Sequence, residues 1–211
     1  MNHAAEVARQ LLEIKAVQLK PQEPFTWASG MLSPIYCDNR IALSYPAVRT
    51  FLKNCLAETA GSFGPFDVVA GVATAGIAHG ALVADKLDLP FIYVRSSAKG
   101  HGRRNLIEGE VKTGQRVLVV EDLISTGGSC LAAAEALEEA GCTVVGVLAI
   151  FQYEFAKARN AFEAKNLPFQ TISGYSALVQ EAVKTGYINE TDQKILEQWR
   201  ENPEGWGALF A

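Results

Sequence analysis

The sequence predicts an α/β fold in which a central, mostly parallel sheet is flanked by helices. Three observations predict it. Short apolar runs recur at Phe66–Val72, Phe91–Val94, Val117–Val120 and Val144–Phe151. They are apolar nearly throughout rather than alternating, as strands buried on both faces are. Helical stretches of about 10–15 residues separate several of them, the spacing of βαβ units.

Taken in order, residues 4–19 read as an amphipathic helix, with Val7, Leu11, Leu12, Ile14 and Leu19 near one face and Pro21 as the stop. Residues 24–40 (PFTWASGMLSPIYCDNR) read as a hairpin around a Ser-Gly turn. A second helix is expected from Tyr45-Pro46, since proline suits a first helical turn, to about Ala60. The run at 66–72 then leads into a helix from Ile77 to Leu87, and the strand 117–120 into a helix ending near Ala140. The last sixty residues give a strand at Phe169–Ile172 and helices at Ser176–Lys184 and Thr191–Trp199. The expected organisation is one domain over 1–211, with a core at about 64–151 and two terminal pieces that meet.

The 211 residues carry a net charge of −4 with 49% apolar content, which excludes a disordered chain. Neither a G-x-y repeat nor a sustained heptad occurs, and the longest strictly apolar run, Val144–Phe151, is far below the roughly 20 residues of a membrane span. The opening MNHAAEVARQ reads as a polar helix start rather than a leader. Cys37, Cys55, Cys130 and Cys142 are widely spaced, so free thiols in a reducing cytoplasm are expected. The acidic balance argues against nucleic acid as a partner.

The average hides an uneven distribution. From Leu89 to Ile107 there is no carboxylate, yet the stretch holds Arg95, Lys99, His101, Arg103 and Arg104. Interleaved with Gly100 and Gly102, these cations describe a lid able to close over a polyanion. The alternative reading is a solvated basic loop.

The strongest local pattern is Val117-Leu118-Val119-Val120-Glu121-Asp122-Leu123-Ile124-Ser125-Thr126-Gly127-Gly128-Ser129. A buried strand delivers two adjacent acids, then a small hydroxyl- and glycine-rich loop, then a helix. The helix N-terminus offers unpaired N–H groups and partial positive charge, which suit a phosphate monoester. Adjacent acids suit ribose hydroxyls, so a sugar phosphate is the expected ligand. No Walker loop and no G-x-G-x-x-G occurs, which weighs against an NTPase or a dinucleotide enzyme. An ordinary strand–turn–helix with Ser and Thr caps is the plainer reading.

This pattern resembles the phosphoribosyl-pyrophosphate (PRPP) motif of type I phosphoribosyltransferases. The basic stretch resembles the catalytic loop of the orotate phosphoribosyltransferases, with Arg95, Lys99 and His101 in matching positions. Residues 27–38 resemble that family's N-terminal hood, and Gly71–Ile77 occupies the place of its pyrophosphate loop, or is simply a close-packed turn. The resemblance implies the type I fold with a hood built from about 20–40 and parts of 152–211. It implies transfer of ribose 5-phosphate from PRPP to orotate, with Mg2+ carried on PRPP.

It further implies a homodimer in which the 95–104 loop reaches the neighbouring site. Lys99 and His101 would stabilise the leaving pyrophosphate and Arg95 would bind PRPP. Glu121 and Asp122 would orient the ribose, with Leu123, Ile124, Ser125, Thr126, Gly127, Gly128 and Ser129 around the 5′-phosphate. Asp122 joins Lys99 and His101 in the catalytic set, and Ser125 also touches orotate.

Three positions depart from the family pattern. Ala28 and Ala75 stand where many members have lysine, and Tyr153 falls where many have an orotate-binding arginine, Arg159 being the next arginine. Arg40 is a candidate carboxylate contact or the partner of Asp38. Two other functions fit the same residues: an enzyme for another base such as hypoxanthine or uracil, and a non-catalytic PRPP-sensing regulator.

Overall fold

The computed structural model describes residues 3–27, 29–96 and 106–210. Ala28, Lys99, Gly100, His101, Gly102, Arg103 and Arg104 therefore lie outside the described residues.

Helix α1 (Ala4–Glu13) is shorter than its apolar pattern predicts. Lys15 takes φ 59, the chain turns, and Val17–Leu19 becomes strand β1. Val17 and Leu19 are buried on either side of half-buried Gln18, so period two replaces the helical period there. The expected hairpin forms as β2 (Phe25–Thr26) and β3 (Leu32–Ser33), closed by Gly30 at φ 83. Its second arm does not continue along β2. Strand β4 (Ile35–Cys37) pairs antiparallel with β1 instead. A 3-10 turn over Asn39–Ser44 leads to α2 (Pro46–Ala60), which starts on its proline as expected.

Next come β5 (Val68–Val72), α3 (Gly76–Leu87), β6 (Phe91–Val94) and β7 (Ile107–Glu108). They are followed by β8 (Arg116–Ile124), α4 (Gly128–Glu139), β9 (Thr143–Gln152), α5 (Ala156–Ala164) and β10 (Phe169–Thr171). Helices α6 (Tyr175–Lys184), α7 (Glu190–Glu201) and α8 (Pro203–Trp206) complete the chain. The sheet has six strands in the order β10-β9-β8-β5-β6-β7, parallel except for β7. No helix among the described residues is long and apolar enough to cross a membrane.

Alternate strand residues feed two apolar cores. Val69, Leu118, Val120, Leu148 and Ile150 join α1, α2, α3, α6 and α7 on one face. Val68, Ala70, Val117, Val119, Val147 and Ala149 join α4 and α5 on the other. The order reverses between β5 and β8, and open α/β sheets bind ligands beyond the carboxyl ends of strands at such a point.

Candidate active site

Strand β8 runs further than its apolar residues predict. Glu121 pairs with Ala149, Leu123 with Phe151 and Ile124 with Gln152, so the two acids sit within the ladder rather than after it. Glu121 is buried and has both carboxylate oxygens engaged. Oε1 accepts from the Asp122 N–H at 3.0 Å and Oε2 from the Ser129 hydroxyl at 3.1 Å. Burial first, then the neighbouring Asp122 charge, pushes Glu121 up to about 8, and burial raises Asp122 as well.

Ser125–Gly128 turns the chain from β8 into α4. Gly127 adopts φ 83, and a Cβ there would lie 2.8 Å from Phe162 Cε2. No side chain caps α4, so its first N–H groups face the loop without an intrahelical acceptor. The geometry is that of an anion cradle.

The adjoining turn after β5 is held by close backbone approach. A Cβ on Gly76 would lie 2.6 Å from Val120 O and 3.1 Å from Glu121 Oε1. One on Gly71 would lie 2.9 Å from Gly76 O and Ile77 Cα. The small residues at 71–77 therefore seat α3 directly against the acid pair, so close packing is present there in any reading of the turn.

One residue that contacts the acid pair escaped sequence reasoning. Asn39, fully buried, donates from Nδ2 to Asp122 O at 2.8 Å and ties the N-terminal segment to the acid pair. The sequence around it (CDNR) gives no periodic or motif signal. Its neighbour Arg40 is engaged with Asp38 at 2.7 Å, a hydrogen bond that holds Asp38 below its ordinary pKa. Arg95 sits just before the described residues break off at 96, 3.4 Å from Glu108. The acid-free stretch suggested no such partner, but antiparallel β7 folds Glu108 back beside β6.

Two cavities open beside the cradle, with Ser125 lining both. The smaller, about 360 Å3, is walled by Trp27, Tyr36, Cys37, Leu123 and Tyr153. Among the described residues no charged side chain lines it. The larger, about 460 Å3, lies between Trp27, Met31 and Thr126, the start of α5 and the segment 200–204. The wall between them is aromatic: Trp27 stacks on Tyr153 at 5.4 Å, and Trp199 meets both edge-on at 5.8 and 5.7 Å.

A doubly covered parallel sheet whose switch point carries adjacent acids and an uncapped phosphate cradle defines a phosphoribosyltransferase. The family model described as "Phosphoribosyl transferase domain" matches residues 39–175. The chain is 55% identical over 208 residues to the orotate phosphoribosyltransferase of Listeria monocytogenes serotype 4b, covering 98% of this chain and 100% of that one. The orotate phosphoribosyltransferase of Aeropyrum pernix superposes with a TM-score of 0.75 at 28% identity, over 87% of this chain and 99% of that one. Leishmania donovani UMP synthase gives 0.80 at 28% identity, over 93% of this chain but 42% of that longer protein. The chain belongs to the orotate phosphoribosyltransferase family.

Proposed function

We propose that the protein is a pentosyltransferase that moves the ribose 5-phosphate of PRPP onto orotate, giving orotidine 5′-monophosphate and pyrophosphate, a step toward UMP. The observation that carries this reading is the acid pair Glu121-Asp122 on the strand that leads, through Leu123 and Ser125 of an aromatic cavity, into the uncapped start of α4. A sugar phosphate and a planar base need that juxtaposition.

The roles follow from the chemistry. Backbone N–H groups at Ser125, Thr126, Gly127, Gly128 and Ser129 bind the 5′-phosphate, with Leu123 and Ile124 leading the strand to it. Asp122 and Glu121 orient the ribose hydroxyls beside a sugar carbon that becomes cationic as pyrophosphate leaves. Ser125, bordering both cavities, touches the base. The anionic ring nitrogen of orotate attacks the anomeric carbon, and the protein supplies no nucleophile. Arg95 binds PRPP, and Lys99 and His101 stabilise the leaving pyrophosphate.

The carboxylates at the end of β8 are hard oxygen donors of the kind magnesium takes, directly or through water. Magnesium on PRPP supplies charge neutralisation of the leaving group. The protein acts as a homodimer, with the 95–104 loop serving the neighbouring site. It works in the cytoplasm, a reading supported by four free cysteines.

The deciding assay is orotate-dependent release of pyrophosphate from PRPP, with and without magnesium. Release that ignores orotate would overturn the reading. Lys99→Ala should cut turnover far more than it weakens PRPP binding, and near-normal turnover in that variant would remove Lys99 from the reaction.

A further inference from the structure

The proposed reaction, on which this inference rests, uses a base that carries a carboxylate. A carboxylate entering a partly desolvated site needs a cation already fixed in place, because ordering a free side chain on binding costs rotamer entropy. The smaller cavity offers largely aromatic walls and, among the described residues, no cation. The larger cavity, joined to it through Ser125, is bordered by Lys157, Arg159 and Arg200 and also by Glu154, Glu201 and Glu204, so its cations must be compared by what already engages them. A planar ring bearing one carboxylate matches that division.

The three cations differ in how they are held. Lys157 and Arg159 are exposed on the first turn of α5. Arg200, on α7, is fixed from three sides. Its Nη1 donates to Ser176 Oγ at 2.8 Å and to Glu154 Oε2 at 3.2 Å, and its guanidinium lies 6.0 Å from the centre of the Tyr175 ring. Both polar contacts use one nitrogen, so Nε and Nη2 remain for a second acceptor among the described residues. Glu154 is itself held. Its Oε1 accepts from the Ser176 N–H at 3.1 Å, and its backbone sits at φ 60, a conformation a glutamate keeps only when its surroundings impose it. A guanidinium fixed in this way presents a planar fork suited to a carboxylate. Lys157 and Arg159 on the same cavity balance the remaining lining acids, Glu201 and Glu204, while Arg200 is shared between Glu154 and the incoming carboxylate.

We propose that Arg200 receives the carboxylate of the base, and so sets the preference for orotate over pyrimidines that lack it. Orotidine 5′-monophosphate and uridine 5′-monophosphate differ by that one group, so their affinities for the full-length protein isolate the contact. The unsubstituted protein binds the carboxylated nucleotide more tightly. Arg200→Gln weakens that nucleotide roughly 10- to 100-fold, the worth of a hydrogen bond to a charged group, and leaves uridine 5′-monophosphate unchanged. Arg200→Lys, which keeps the charge and most of the packing, gives a smaller loss in the same sense and serves if the glutamine variant fails to fold.

An Arg200→Gln protein that keeps its preference overturns the proposal. So does an equal loss for both nucleotides, which would mark Arg200 as structural. Arg159→Gln is the control, and loss of preference there instead would move the contact to α5. A protein that shows no orotate-dependent pyrophosphate release defeats the proposed function itself. An active enzyme with unaltered discrimination in the Arg200 variants defeats only this inference.

Discussion

Burial first, and the charge of adjacent Asp122 second, disfavour the ionised form of Glu121. With its pKa near 8, the folded protein holds a proton that the unfolded chain releases at an ordinary glutamate pKa. Stability therefore falls as pH rises from about 4.5 to about 8 and then levels off. Glu121→Gln should remove that part of the dependence while lowering turnover. Denaturant unfolding at pH 5 and pH 9 checks it, and an identical drop in both proteins would show that Glu121 does not contribute. Asn39 acts on the same pair from outside the strand. Asn39→Ala leaves the half-buried Asp122 carbonyl without this donor, a loss of about 1 kcal/mol. In steady-state kinetics it should raise KM for PRPP more than KM for orotate.

Among the elements, those fixed by local chemistry were legible in the sequence. Pro46 marks the start of α2, and the unbroken apolar runs mark the four central strands. The turn into α4 was legible because Ser-Thr-Gly-Gly-Ser follows Glu-Asp at the end of an apolar strand; without those acids it would read as an ordinary capped turn. Elements set by distant partners were not. Residues 17–19 continue a helical pattern until β4 offers a ladder. Helix α5 buries only Ala158 and Phe162, too little apolar surface for a periodic signal. Arg200, Glu154 and Ser176 meet across three elements and have no spacing in common.

At the cradle, Gly127 is required twice over, by its φ of 83 and by the nearness of Phe162. Phe162 is stacked on Phe169 at 4.4 Å and cannot withdraw cheaply. Gly127→Ala should destabilise the protein by roughly 1–3 kcal/mol. It should also weaken PRPP binding, since α4 must shift. Thermal melts and PRPP titration check the two parts separately.

Over the whole molecule, both chain ends lie on one face of the sheet. Helix α1 packs on α6, and Ser173 donates to the Ala4 carbonyl at 2.9 Å. Trp199 is the keystone, fully buried against Trp27, Tyr153, Phe155 and Tyr175. Trp199→Ala should cost about 3–5 kcal/mol and loosen the wall shared by the two cavities. Unfolding midpoints check the first effect, and a raised KM for orotate the second.

The sheet ends in very short strands, β7 with two residues at one edge and β10 with three at the other. A partner adding a strand would find almost no free ladder groups to template it. The central sheet thus resists open-ended, filament-like growth, and two copies would pair mainly through helices, loops and the small N-terminal strands. Active-site loops are therefore among the surfaces available for a dimer, which is where a shared catalytic segment would have to be.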